Sequence, residues 1–173
     1  RAASKCVRLA CGVISEAART LGLAFRDTAL DLLPPLLKTL RVTVSVIADA
    51  ADTTIRALFT HVRSAALLPA VTGGMSARDS APLQRARCVQ YLGLALSAYP
   101  VGAIDHDLAS LEPALNKALT DAAAPVRAAA REAFVELQRR WPHSAARVRD
   151  KLPASTRRHL PDASGAAPPV PPP

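Results

Sequence analysis

A short motif, Leu-x-Pro-x-(Leu/Val), recurs three times in the chain and constrains its fold more than any other feature. The copies are LPPLL at 33–37, LLPAV at 67–71 and LEPAL at 111–115, so they start 34 and 44 residues apart. A long alanine-rich segment with apolar residues at helical spacing follows each copy. Intervals near 40 residues are typical of HEAT and armadillo repeats, in which pairs of helices stack. The motif therefore predicts an all-α fold, an α-solenoid of HEAT repeats.

The stretch 108–141 has the pattern of one whole repeat. Apolar residues at helical spacing line a first helix, a polar turn at 120–121 interrupts them, and Pro125 stands where a second helix begins. The second helix has its own apolar stripe, which includes Val126 and ends at Trp141. Because two such helices leave apolar faces uncovered, neighbouring repeats are needed to complete the core.

Residues 1–160 are expected to form one repeat domain, followed by a proline-rich linker or disordered tail at 161–173. The first helix, near 3–21, is expected to end at Gly22 and has the character of the second helix of a repeat. The sequence is therefore expected to open within a repeat, with about four and a half repeats present. Half of the residues are hydrophobic and only 3% are aromatic, which favours packed helices over a β-rich fold. No apolar run approaches the ~20 residues of a membrane span.

The three cysteines form no Cys-x-x-Cys pair. Cys6 and Cys11 lie on the apolar stripe of the first helix, and Cys88 lies beside Val89 and Leu92. All three are therefore expected to be small buried hydrophobic residues in a protein of a reducing, cytoplasmic compartment.

Residues with the chemistry of catalysis or metal binding are scattered. The four histidines lack metal-ligand spacing, and Asp105, His106 and Asp107 point in different directions at a helix start. Gly73 and Gly74 are expected to end a short helix at about 64–71. They follow no strand and precede no Lys-Ser/Thr pair, so they do not form a phosphate loop. The sequence predicts no catalytic residue, no metal site and no cofactor, and an enzyme is not expected.

The net charge of +8 is concentrated near the C-terminal end. Residues 139–159 hold seven Arg or Lys residues against one acid, Asp150, whereas the rest of the chain holds 15 basic and 13 acidic residues. This basic segment is either a solvated surface or a site of attraction for an acidic polymer, nucleic acid or a protein surface rich in Asp and Glu. Nucleic acid is the weaker alternative, because no aromatic residues alternate with the basic ones.

Several segments, in the right order, resemble TOG domains of the CLASP family. The third repeat of those domains is similar to LLPPLLKTLRVTVSVIADAADTTIRALF (32–59), and an arginine-rich helix of the family is similar to RARCVQYLGLAL (85–96). Their fifth repeat is similar to LEPALNKALTDAAAPVRAAAREAFVELQRRWP (111–142), and their closing segment to KLPASTRRHL (151–160). The resemblance covers residues 3–160. It implies a paddle of six HEAT repeats, of which the first one and a half are absent from this sequence.

In that family the turns inside the repeats stack along one thin edge, which binds αβ-tubulin. The resemblance therefore implies a non-enzymatic tubulin- or microtubule-binding domain of a regulator of microtubule dynamics, located in the cytoskeleton or in a cilium. The residues that it places at the binding edge are Arg41, Thr43, Arg78, Arg85, Val126, Arg127 and Arg131. Arginine suits the carboxylates of an acidic partner such as tubulin. The alternative is a HEAT-repeat scaffold of a cytoskeletal or ciliary assembly that binds another protein.

Overall fold

The computed structural model describes residues 2–76 and 80–161 of the chain. Two single-turn 3-10 helices there, Gly22–Phe25 and Ala65–Leu67, connect longer helices. The α-helices are α1 (Ala2–Leu21), α2 (Arg26–Thr39), α3 (Ser45–His61), α4 (Leu68–Ser76), α5 (Pro82–Ala98), α6 (Val101–Ile104), α7 (Leu108–Leu119), α8 (Ala124–Arg140), α9 (Pro142–Asp150) and α10 (Ala154–Arg157). Arg78 and residues 162–173 lie outside the described residues, so the tail stays a prediction.

The helices form two layers, which confirms the predicted α-solenoid. Helices α1, α3, α5 and α8 pack side by side in one layer, and α2, α4, α7 and α9 pack side by side in the other. The helices of each pair, α2–α3, α4–α5 and α7–α8, pack against each other across the two layers. The described residues therefore hold α1 as half a repeat, these three pairs, and then α9 followed by the short α10.

The core lies between the layers. Leu, Ala and Val supply most of it, as expected, and all six aromatic residues are buried there as well. Phe59 of α3 stacks on Tyr91 and Tyr99, with ring centroids 6.0 and 6.4 Å apart. Trp141 is 7% exposed, which confirms its core assignment, and its Nε1 donates to Asp105 Oδ1 at 2.7 Å. The few aromatic residues thus fill the centre, where their large apolar area stabilises the packing most.

The glycine pair between the second motif and α5 does not end a helix, and the prediction that it does was wrong. Gly73 and Gly74 both lie inside α4, which continues to Ser76. A Cβ on Gly74 would lie 2.7 Å from the Sγ of the buried Cys88, whereas nothing lies within 4 Å of a Cβ on Gly73. The close approach of α4 to α5 therefore requires a residue without a side chain at position 74. This packing requirement outweighs the low helix propensity of glycine.

Helix α1 packs on α3 and leaves its other side open. Cys11 is buried, and the Thr54 hydroxyl of α3 lies 3.2 Å from its carbonyl oxygen. Cys6, expected to be buried, is exposed. Leu9 and Val13 of α1 are 62% and 70% exposed. The broad apolar stripe of α1 is thus only partly used by the described residues, and Cys6 falls on the unused part.

Candidate functional site

The turns inside the helix pairs lie beside one another along one edge of the two layers. They are residues 40–44, the turn before α5 of which the structure describes 80–81, residues 120–123 and residues 151–153. At the second turn, Gln84 Nε2 donates to the Leu37 carbonyl near the end of α2 at 3.2 Å. Arg85, one residue further on, reaches the third turn. These four turns are called the turn edge below, and they form the edge at which the resemblance places tubulin contacts.

Arg85 is committed to contacts inside the fold. Its Nε and Nη2 donate to the two carboxylate oxygens of Asp121, each at 2.9 Å, and its Nη1 donates to the Ser80 carbonyl. The two side chains are 18% and 11% exposed. The hydrogen bonds from Arg85, helped by one from the Ala123 N–H, hold the pKa of the Asp121 carboxyl below its usual range despite burial. Arg85, predicted as a contact residue, therefore joins the second and third turns.

Val126 and Arg127 also support the third turn. Val126 is 1% exposed and belongs to the core, so its side chain does not reach a partner at this edge. Arg127 Nη1 donates to the carbonyls of Asp121 and Ala122 at 2.7 and 2.6 Å. Asp121 in turn accepts from the Ala123 N–H at 2.8 Å, which closes the turn as a local cap. The Val126 prediction is corrected for this reason: adjacent helix positions face different ways, and Val126 faces inward.

Arg131 has a different environment. It is half-buried and makes no hydrogen bond or ion pair with residues 4–76 or 80–161. It lines a groove of about 230 Å³ between α8 and the α10 segment, together with Arg127, Ser155, Thr156 and His159. Among the predicted site residues that the structure describes near the third turn, Arg131 is thus the one whose guanidinium makes no internal hydrogen bond. Arg78 lies outside the described residues.

The first turn carries the most exposed part of the edge. Arg41 and Thr43 are exposed there, and Val42 and Val44 beside them are 41% and 48% exposed. Leu83, 62% exposed, lies across a groove of about 300 Å³ that Arg41 also lines. The sequence prediction named the arginine and the threonine but missed the apolar residues. The sequence did hold a sign of these residues: Val42, Thr43 and Val44 form a run of β-branched side chains at a turn, where they contribute nothing to a helix.

No metal site or membrane span stands out in the part of the chain that the structure describes. No three His, Cys, Asp or Glu side chains in residues 2–76 and 80–161 come close enough together to hold a metal ion. None of the helices there is long and apolar enough to cross a membrane.

The model of the family "CLASP N terminal" matches residues 3–161. The chain belongs to this family. A curated relative, "CLIP-associated protein" of Arabidopsis thaliana, is 29% identical over 146 residues, which cover 84% of this chain and 10% of the relative. The chain thus spans about a tenth of the length of that relative. The resemblance inferred from the sequence is confirmed.

In this CLASP-family chain, much of the basic segment at 139–159 is used internally. Arg140 donates to the carbonyls of Leu96 and Tyr99, and Arg147 donates to the buried Glu112, with Nε 2.9 Å from Oε1. Lys151, Arg157 and Arg158 are exposed. Arg140 therefore joins α8 to the end of α5, and Arg147 joins α9 to α7, so only part of the charge of the segment faces outward.

Proposed function

We propose that this CLASP-family domain binds tubulin or the microtubule lattice without catalysis, through its turn edge. The observation that carries the proposal is the exposed first turn, where Arg41 and Thr43 stand beside Val42 and Val44. An exposed apolar cluster rimmed by polar groups is typical of a protein-binding surface. Membership of the CLASP N-terminal family and the name of the plant relative support the choice of partner.

The two kinds of side chain at the edge have separate tasks in this proposal. The basic groups near the first turn, Arg41, Lys5 and Arg8, attract an acidic protein surface and speed the encounter. Val44, Val46 and Leu9 line a neighbouring groove of about 530 Å³, where apolar contact supplies affinity. Arg85 and Arg127 act indirectly, because their internal hydrogen bonds hold the turns in position.

A thin edge buries little surface, so a single domain of this kind is expected to bind weakly. Several domains joined in one longer chain would gain affinity from effective concentration. The chain would then act as part of a cytoskeletal regulator of microtubule dynamics, in the cytoplasm or in a cilium.

Binding itself is tested by microtubule co-sedimentation of the chain beside gel filtration with free tubulin dimer, each over a series of salt concentrations. The proposal expects saturable binding in at least one assay. Affinity should fall with salt, because attraction between exposed charges is screened, and it should level off where the apolar contacts remain. No binding in either assay at low salt overturns the proposal. The scaffold alternative would then account for the exposed edge.

A further inference from the structure

The groove between α8 and the C-terminal segment differs in chemistry from the turn edge. Its lining residues are Leu119, Arg127, Arg131, Ser155, Thr156 and His159. A volume of about 230 Å³ is below the range of pockets for drug-sized ligands, which starts near 300 Å³. The groove therefore suits a single small group on a larger molecule, or a small ion.

The positive charge of the groove is only partly compensated by the described residues. Two arginines line it, and no Asp or Glu of residues 4–76 and 80–161 does. Asp121, whose carbonyl oxygen accepts from Arg127, directs its carboxylate to Arg85 at 2.9 Å, and Arg127 also acts on that carboxylate electrostatically. Among the described residues, the charge of the groove that no carboxylate offsets is therefore that of Arg131. Glu132, the neighbour of Arg131 on α8, is exposed and lines a different groove. The occupant that these groups favour is an anion.

The donors are arranged for several oxygen atoms. Arg127 is held in place by its bonds to two carbonyls, and its other guanidinium nitrogens remain for a ligand. Arg131 contributes a whole guanidinium, His159 a ring N–H, and Ser155 and Thr156 two hydroxyls. A carboxylate offers two oxygens and one charge, whereas a phosphoryl group offers three oxygens and a charge near −2 at neutral pH. The number of donors and the positive charge of the groove match a phosphoryl group better than a carboxylate.

We infer that this groove is a binding site for a phosphoryl group, held by Arg127, Arg131, His159 and the hydroxyls of Ser155 and Thr156. The site goes beyond tubulin binding and does not depend on it. The bound phosphoryl group is either the free phosphate ion or part of a phosphorylated side chain of another protein. Binding there joins α8 to the C-terminal segment, so an occupied site stabilises that end of the solenoid.

The test is an NMR titration of the 173-residue chain with inorganic phosphate at constant pH and ionic strength, with acetate as the comparison anion. We expect saturable shifts of the Arg131 Nε–H signal and of the backbone amides of 155–159, and at least about tenfold weaker binding of acetate. Arg131→Gln should weaken phosphate binding about tenfold or more. Arg158→Gln, which removes the same charge from an exposed position outside the groove, should weaken it less than about twofold.

The proposal is overturned if no saturable shift appears, if acetate binds as well as phosphate, or if the two arginine variants lose affinity equally. Should Arg131→Gln fail to keep the native amide spectrum, Ser155→Ala with His159→Gln takes its place under the same criteria. A Gly-phosphoserine-Gly peptide then distinguishes the sources: shifts of the same signals show that an esterified phosphoryl group is accepted, and their absence restricts the site to the free ion. Since no tubulin is present, this result is independent of microtubule binding.

Discussion

Arg85 at the start of α5 and Asp121 in the turn before α8 form a two-pronged ion pair, with both nitrogen–oxygen distances 2.9 Å. The pair joins residues 36 positions apart in sequence and fixes two neighbouring turns of the edge to each other. It also explains why an arginine that looks like a contact residue in the sequence is unavailable to a partner. The ion pair of Arg85 fixes the turns whose other residues are exposed at the edge.

Replacing Asp121 by Asn should destabilise the chain by about 2 kcal/mol, because Arg85 would lose its counter-charge in a largely buried site. Urea unfolding followed by circular dichroism measures the change. Asp27→Asn is the matched control, since the Asp27 side chain is 89% exposed in its pair with Arg26. That variant should stay within about 0.5 kcal/mol of the wild type. Equal effects of the two substitutions would contradict the role given to the Arg85–Asp121 pair.

The same pair makes stability depend on acid pH. The hydrogen bonds from Arg85 hold the pKa of the folded Asp121 carboxyl below its usual range, so the unfolded chain binds more protons at this position. The stabilisation is therefore complete above the unfolded pKa of about 3.9 and is lost as the pH falls through the folded pKa. Unfolding free energies of wild type and Asp121→Asn should differ fully at pH 6 and converge at low pH. A difference that stays constant down to about pH 2 would refute this origin.

Two valines near the turn edge should behave in opposite ways. Val126→Ala should cost about 2 kcal/mol of unfolding free energy, because Val126 is 1% exposed and its loss leaves a cavity. Val44→Ala should cost less than about 0.5 kcal/mol, because Val44 is 48% exposed. Urea unfolding of the two variants gives the comparison. A similar cost for both would place Val126 outside the core and reopen its candidacy as a contact residue.

The two glycines of α4 give a second matched pair. Gly73→Ala should stabilise the chain by about 0.5 kcal/mol, since a Cβ there meets nothing within 4 Å and alanine favours a helix. Gly74→Ala should destabilise it by about 1–3 kcal/mol, because its Cβ would lie 2.7 Å from Cys88 Sγ in a packed interior. Thermal unfolding of both, and of Gly74→Ala combined with Cys88→Ala, measures this. The clash explanation fails if removing the sulfur leaves the cost of Gly74→Ala unchanged.

The cysteines should differ strongly in reactivity. Cys6 is exposed, whereas burial raises the pKa of the Cys88 thiol to about 12, and Cys11 is also buried. At pH 8, a thiol reagent such as iodoacetamide should therefore modify Cys6 alone in the native chain and all three cysteines in urea. Peptide mass mapping identifies the modified positions. Native labelling of Cys88 as fast as Cys6 would contradict the packing of α5 against α4.

The solenoid could be predicted from the sequence because each repeat has a recognisable pattern of residues that lie close together in the chain. The three Leu-x-Pro motifs and the apolar spacing after them depend only on residues close in sequence. Trp141 was assigned to the core, and Gly22 to the end of α1, for the same reason, and Gly22 does follow α1 with a φ of +53°. Residues Gly73 and Gly74 were misread because the chain-breaking tendency of glycine is local, whereas the approach of α4 to α5 is not.

The candidate site was less predictable. Helical spacing indicates on which face of a helix a side chain lies, but it does not indicate which distant residue that side chain contacts. Asp121 accepts from the Ala123 N–H within the turn before α8, a local contact that is typical of aspartate in turns. Its ion pair with Arg85 spans two repeats and left no pattern in the sequence. Likewise, nothing local distinguishes Arg127, whose Nη1 is bound to two carbonyls, from Arg131, which borders an open groove.

The most direct test of the proposed function compares two double variants in microtubule co-sedimentation. Arg41→Ser with Val44→Ser removes one charge and one apolar side chain from the first turn. Arg139→Ser with Val135→Ser removes the same from exposed positions on α8, away from the turn edge. We predict that the first variant raises the Kd at least about tenfold while the second changes it less than about threefold, with both remaining helical. Equal binding by the two variants would contradict the claim that the turn edge holds the microtubule.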